Sequence, residues 1–274
     1  MNVTSDELDL LPLAQEASRL LLDFYGPNRK SLATTTKTDA FDLVTAADAA
    51  VQELCAQWLA SRSQHPLLGE EGGADEGGDT FWSLDPLDGT REFVNEQGEY
   101  AFQLAFVHKG QPIQAVLALP AYDTVYLATK DKGCVVLRLS DGFGLMFPHE
   151  VLRRERLVLS RALGRREDLQ RLVAGHPAQD RISFGGVGAK VHAILWGIGD
   201  TYLTTPEGMY GWDLAAPLLV AHEAGLVACD LHGRALVVPS NRDKVKQGIL
   251  FTRSRFLCGN LEYLRTLDSS APGN

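Results

Sequence analysis

Two aspartates stand three residues apart in the stretch WSLDPLDGTREF, Trp82 to Phe93. Asp85 and Asp88 flank Pro86-Leu87 and abut Gly89-Thr90. Like charges this close repel unless something separates or neutralises them. Pro86 fixes its own φ, has no N–H and restricts Asp85 to an extended conformation. Gly89 permits a tight turn or the close approach of a ligand. A helix beginning at Thr90 would aim unpaired N–H groups at an anion beside the two carboxylates. Carboxylates for a hard cation next to donors for a phosphate are the parts of a metal-assisted phosphatase site. Two ions about 3.5–4 Å apart can clamp an in-line displacement. Mg²⁺ suits such a site, because it takes oxygen ligands and binds through a few carboxylates plus substrate phosphate. The simpler reading of DPLDGT is an Asx-type turn capping a helix.

The flanking elements must hold these residues. HPLLGEEGG (65–73) reads as a short strand ending at Glu70 and Glu71, and TFWSLDPLDG (80–89) as a second strand ending at the aspartates. Upstream, Leu10, Leu13, Ala14, Ala17, Leu20, Leu21 and Phe24 recur with a helical period, and Pro12 falls where a first turn tolerates it. KTDAFDLVTAAD (37–48) reads as a loop into a second helix, whose stripe is Val51, Leu54, Cys55, Trp58 and Leu59. Thr45 and Asp48 have capping-box spacing there. Residues 99–139 read as strands broken by KG, QP, PAYD and KDKG turns, an antiparallel meander.

Around 140–156 the chain turns polar and basic, which places a boundary between residues 1–147 and 148–274. The second part alternates: a strand at 157–160, a helix near 165–174, the Gly-rich FGGVGAK (184–190), a helix to about Trp196 and the strand TYLTT. A helix from Trp212 to Ala224 and the strand LVACD (226–230) follow. Asp213 lies in the first turn of its helix, where a carboxylate also favours the helix dipole. FGGVGAK is neither a P-loop nor a dinucleotide fingerprint, since it lacks the spacing and a preceding strand. His192, in a helical stretch, reads as structural.

Charge and cysteine usage narrow the class. The chain has 274 residues and a net charge of −9. Residues 70–99 hold ten acids and one base, Arg91, and so carry all of that excess. Such a patch repels nucleic-acid backbone unless cations intervene, so no nucleic-acid polymer is expected as partner. No apolar run reaches the roughly 18 residues that suggest a membrane span, and no signal peptide is visible. Cys55, Cys134, Cys229 and Cys258 lie far apart without zinc-like spacing, which fits buried thiols in a cytoplasmic protein.

WSLDPLDGTREF resembles the signature of the inositol monophosphatase superfamily, the Mg²⁺-dependent, lithium-sensitive phosphatases. LLGEEGG (67–73), GWDLAAPLLVAHEAG (211–225) and DLVTAAD (42–48) resemble further family segments in the same order. The resemblance implies an αβαβα five-layer sandwich with the site between its halves. It implies that Glu70, Asp85 and the Leu87 carbonyl hold one Mg²⁺, and that Asp85, Asp88 and Asp213 hold a second. Glu70 would also serve a third ion. Thr90, paired with Asp48, would orient and deprotonate the attacking water, with Glu70 also counted as catalytic. The backbone at Leu87, Gly89 and Thr90, together with Asp213, would lie against the substrate phosphate.

Arg91-Glu92-Phe93 and FGGVGAK resemble the 3'(2'),5'-bisphosphate nucleotidase branch more than inositol monophosphatases proper. That branch implies hydrolysis of 3'-phosphoadenosine 5'-phosphate to AMP and phosphate, a step serving sulfate assimilation. Arg91 or Lys190 would then pair with the non-reacting 5'-phosphate, and Met209 or Tyr210 would meet the base. An inositol phosphate is the alternative substrate, a non-catalytic phosphate-binding relative a third reading, and the superfamily includes monomers and homodimers.

Overall fold

The computed structural model describes residues 8–25, 35–36, 43–44, 46–147, 155–161, 167–174, 176, 178, 180–205 and 209–253. Helices α1 (Leu11–Phe24) and α2 (Ala46–Ala60) pack on each other and on a six-stranded sheet. A two-stranded pair, β1 (Thr35–Thr36) and β2 (Leu43–Val44), lies between them in sequence. Residues 43–44 are therefore strand rather than the expected loop. The large sheet contains β3 (Leu67–Gly69), β4 (Thr80–Asp88), β5 (Ala101–His108), β6 (Gln111–Leu119), β7 (Thr124–Thr129) and β8 (Gly133–Arg138), in that spatial order. All its pairs are antiparallel except β3 with β4. The meander is as the KG, PAYD and KDKG turns imply, whereas Gln111-Pro112 opens β6 rather than forming a turn.

The second sheet is five-stranded, in the order β10 (Asp180–Phe184), β9 (Arg156–Ser160), β11 (Thr201–Thr204), β13 (Ile249–Thr252), β12 (Val227–Asp230). Two of these strands escape the sequence reading. Strand β10 sits at the sheet edge and reads DRISF, polar at alternate positions and only partly buried, so its apolar signal is weak. Its presence corrects one expectation: a strand does precede FGGVGAK. Strand β13 is four residues long, too short for a clear period.

The layers follow from which face each side chain takes. Along β5, Phe102, Leu104 and Phe106 turn to the α1/α2 side, while Ala101, Ala105 and Val107 turn to the opposite core. Along β13, Ile249 and Phe251 join that same central core, while Leu250 faces away beside Leu157, Leu203 and Val173. Val173 belongs to α4 (Glu167–Ala174). Between the sheets lie α5 (Val187–Leu195) and α6 (Gly211–Glu223), both buried nearly all round, as helices between two sheets must be. The order is helices, large sheet, helices, small sheet, helix: a five-layer αβαβα sandwich. Strands covered on both faces are apolar throughout rather than alternating, which is why TFWSL reads as a continuous run. The expected boundary at 147/148 adjoins residues 148–154, which lie outside the described residues, as do Thr45 and Cys258. Across it, the core around α5 and α6 joins side chains of both sheets.

Candidate active site

In a regular strand, residues three apart point to opposite faces. Asp85 and Asp88 escape this through a bulge. Asp85 pairs with Gln103 and Asp88 with Ala101, so three steps on β4 match two on β5. The additional residue restores both aspartates to one side. Pro86 is tolerated there because it has no ladder hydrogen bond to lose. The Asp85 carboxylate accepts the Leu87 N–H at 3.0 Å, closing the turn. Gly89 then adopts a left-handed φ of 86°, with the Glu99 carbonyl occupying the space a Cβ would need. Helix α3 (Thr90–Val94) starts directly after it. Its first residue, Thr90, donates its hydroxyl to the Leu87 carbonyl at 3.0 Å. That bond directs the hydroxyl at Leu87 rather than at Asp48.

Three other elements bring acids to the same place. Strand β3 pairs in parallel with β4, Gly69 opposite Leu84, so Glu70 emerges beside Asp85. Its N–H continues the ladder to the Leu84 carbonyl at 3.2 Å. Asp48, in the first turn of α2, is buried. Asp213 is the third residue of α6, and its Oδ2 accepts the Tyr210 N–H at 2.6 Å, so it also closes the helix cap. Pro217 lies four residues further on and cannot donate to the Asp213 carbonyl as a helical residue would.

Asp85, Asp88 and Asp213 each offer a carboxylate oxygen within 4.8 Å of the others. Glu70 is not in this tight group, although its charge acts on Asp85. Burial first, then Glu70, Asp88, Asp213 and Asp48, push the Asp85 carboxyl well above the usual carboxylate range. Burial also raises Asp88, against Lys190 and the N–H groups that bond it. Hard oxygen donors with surplus negative charge fit Mg²⁺ and give no soft ligand for a thiophilic metal.

Asp88 has partners that its sequence position hides. Its Oδ2 accepts Gln103 Nε2 at 2.6 Å and the Gly188 N–H at 2.7 Å. The glycines of FGGVGAK therefore deliver the start of α5 to Asp88. A Cβ on Gly186 would fall inside the Asp88 carboxylate. Lys190 lies in the same helix, 3% exposed, and its ammonium donates to the carbonyls of Gly185 and Gly186. Burial lowers its pKa, against the pull of Asp88, Glu92 and Glu99. Lys190 is thus enclosed behind Asp88, and its burial removes it from the open contact with a second phosphate that the sequence suggests. Glu99 ties this turn down by accepting the Gly185 N–H at 2.7 Å and pairing with Arg161 at 2.5 Å. Met209 is buried in the central core, which takes it away from a base. Tyr210 stacks on Trp212 at 4.7 Å. Arg91 is half-buried, its carbonyl accepting Asn95 Nδ2 at 2.9 Å. His192 is buried, with its Nδ1 2.7 Å from the Tyr126 hydroxyl, a structural place in the core.

Fold and site together define a layered α/β protein with a cluster of carboxylates converging from the large sheet and from helices α2 and α6. The family model for the inositol monophosphatase family matches residues 7–265, and the chain belongs to that family. Among curated relatives, a histidinol-phosphatase of Chlorobaculum parvum is 30% identical, over 86% of this chain and 90% of its own. A 3'(2'),5'-bisphosphate nucleotidase CysQ of Aggregatibacter actinomycetemcomitans is 26% identical, over 83% and 85%. Nus factor SuhB of Xylella fastidiosa is 30% identical over 61% of either chain, so this chain matches under two thirds of that relative. In structure, an IMPase of Thermotoga maritima superposes with a TM-score of 0.77 at 21% identity, covering 97% of this chain and 99% of that one. Among the described residues no helix is long and apolar enough to cross a membrane.

Proposed function

We propose that the chain is a Mg²⁺-dependent phosphomonoesterase of small, soluble phosphorylated substrates. The observation that carries this reading is the convergence of Asp85, Asp88 and Asp213 within 4.8 Å beside the start of α3. Asp85, Asp88, Asp213, Glu70 and the Leu87 carbonyl would hold two ions, and Glu70 a third. Mg²⁺ held there would supply an acidified water and neutralise charge on the leaving oxygen. The residues do the rest. The backbone at Leu87, Gly89 and Thr90 orients the phosphate. Thr90 exchanges its bond to the Leu87 carbonyl for one to the attacking water, and Asp48 takes the proton. Lys190 acts by position, holding the Gly185-Gly186 turn so that α5 supports Asp88. Retention of all five acids argues against a non-catalytic relative.

Within that class we favour 3'-phosphoadenosine 5'-phosphate, giving AMP and phosphate in the cytoplasm. The flanking Arg91-Glu92-Phe93 and a CysQ relative over four-fifths of the chain support it. The histidinol-phosphatase relative, more identical and at slightly greater coverage, favours a smaller monophosphate as the second reading, with an inositol phosphate beside it. Phosphate release with Mg²⁺ from 3'-phosphoadenosine 5'-phosphate, histidinol phosphate and inositol 1-phosphate, with Asp88→Asn as control, separates them. Preference for the nucleotide upholds the nucleotidase reading. Preference for either monophosphate keeps the metal site and rejects the nucleotide. Release equal in Asp88→Asn rejects the metal site itself.

A further inference from the structure

The loop between β12 and β13 runs from loops of the large sheet to the entry of α6 and is fastened on both sides. Toward the large sheet, Val238 N–H donates to the Gly110 carbonyl at 2.9 Å and Gly77 N–H to the Ser240 carbonyl at 2.6 Å. Asn241 bridges Glu76, in the loop that follows Glu70. Toward α6, Val245 N–H donates to the Met209 carbonyl at 2.8 Å, and Lys244 bridges Tyr210. Arg242 is therefore held between the loop bearing Glu70 and the entry to the helix bearing Asp213. Its Nη1 lies 3.4 Å from the Glu70 carbonyl, and its guanidinium is 5.8 Å from the Trp212 ring centre. Lys244 lies 5.6 Å from the ring of Tyr210, which stacks on Trp212.

This guanidinium has donors to spare. Its ion pair among the described residues is with Asp75 at 3.8 Å, and Asp75 is 98% exposed, so the pair holds it weakly. A guanidinium carries five N–H donors in a planar fork suited to phosphate. Arg242 is 35% exposed, in contrast to Lys190, enclosed with its ammonium on two carbonyls. It lies beside the Glu70 carbonyl and the ring of Trp212, the neighbour of Asp213, and so next to the segments that carry two of the carboxylates.

We propose that Arg242 is the specificity-determining residue of this site, receiving a second, non-reacting phosphate of the substrate. This rests on the phosphomonoesterase reading above. The test compares 3'-phosphoadenosine 5'-phosphate with adenosine 3'-monophosphate, which shares the leaving 3'-oxygen and has no second phosphate. For Arg242→Gln, kcat/KM on the bisphosphate falls through KM, by about tenfold more than on the monophosphate. Arg242→Lys, which keeps charge and loses the fork, recovers part of that difference. Equal losses on both substrates would overturn the proposal, leaving Arg242 as a loop fastener. So would a selective loss in Arg91→Gln with none in Arg242→Gln. Binding of AMP by calorimetry supplies a readout without turnover. About tenfold weaker binding in Arg242→Gln supports the proposal even if no substrate here is hydrolysed, and unchanged or absent binding overturns it. Failure of the wild-type enzyme to release phosphate, with AMP binding intact, counts against the phosphomonoesterase reading alone.

Discussion

Gln103 Nε2 lies 2.6 Å from Asp88 Oδ2, and the same glutamine is the ladder partner of Asp85. One residue of β5 therefore sets the spacing of both aspartates. It pairs with the first through the backbone and bonds the second through its side chain. Gln103 is fully buried, and its Oε1 has no partner among the described residues. Gln103→Leu removes the donor and leaves Asp88 Oδ2 with the Gly188 N–H. The expected result is a loss of about 10–100-fold in Mg²⁺ affinity or activity, the usual effect of removing a partner that orients a ligand. A Mg²⁺ titration of activity reads it. An unchanged half-saturation and maximum would show that α5 alone positions Asp88.

Asp88→Asn tests the ligand itself. It keeps the shape, and its one carbonyl oxygen can still accept from Gln103 and Gly188, but it turns the other oxygen into a donor and removes one charge from the group of three. Turnover is expected to disappear almost entirely, while the unfolding midpoint without Mg²⁺ stays the same or rises. Near-normal activity in saturating Mg²⁺ would rule Asp88 out as a ligand.

Asp85→Asn separates function from stability more sharply. Asp85 is buried, and burial together with the charges of Glu70, Asp88, Asp213 and Asp48 raises its pKa. A carboxyl whose folded pKa is raised destabilises the fold as pH rises above its unfolded value. Near neutrality the metal-free protein therefore carries this strain, and the amide relieves it. The melting temperature without Mg²⁺ should rise, by about 2–4 °C for each kcal/mol relieved. The stabilisation that Mg²⁺ gives the wild type should vanish. A lower melting temperature without metal would mean that the Asp85–Leu87 bond outweighs the repulsion.

How much of this is legible in the sequence depends on what kind of signal each residue leaves. Asp85 and Asp88 interrupt an apolar run at a proline and a glycine, and their conflict with burial is visible without coordinates. Glu70 ends a recognisable strand. Gln103 leaves no such mark. AFQLAFV reads as a strand with one polar position, and only the bulge register connects it to Asp88. Lys190 misleads for a related reason. A lysine after glycines suggests a phosphate contact, but the edge strand β10 and the tight approach of Gly186 fold it inward. Arg242 lies 172 residues from Glu70, and no local period connects them.

Thr90→Ala tests the proton path. In this structure the hydroxyl donates to the Leu87 carbonyl at 3.0 Å. In the proposed reaction it turns to water, so its loss should lower kcat by about 10²-fold with little change in the Mg²⁺ requirement. Thr90→Ser should retain most activity, since it keeps the hydroxyl. If alanine leaves kcat intact, Thr90 is only a helix-start residue.

His192 offers a pH test away from the metal ligands. Trp196 Nε1 can only donate, and it bonds the Tyr126 oxygen at 2.6 Å. The Tyr126 hydroxyl lies 2.7 Å from His192 Nδ1 and donates to it when the ring is neutral with its proton on Nε2. Burial lowers the His192 pKa to about 4. Above its unfolded value of about 6.5, the ring is neutral in both states and costs nothing. As pH falls below that value the unfolded chain takes up a proton and the folded protein does not, so stability declines until the folded pKa is reached. The full loss is about 3 kcal/mol, of which about 2 kcal/mol has appeared by about pH 5. Urea unfolding at about pH 7 and about pH 5 should show this difference in the wild type. His192→Asn places Oδ1 where Nδ1 accepts and cannot titrate, so its difference should be smaller by that amount. An equal pH dependence in the two proteins would assign the acid sensitivity to the carboxylates instead.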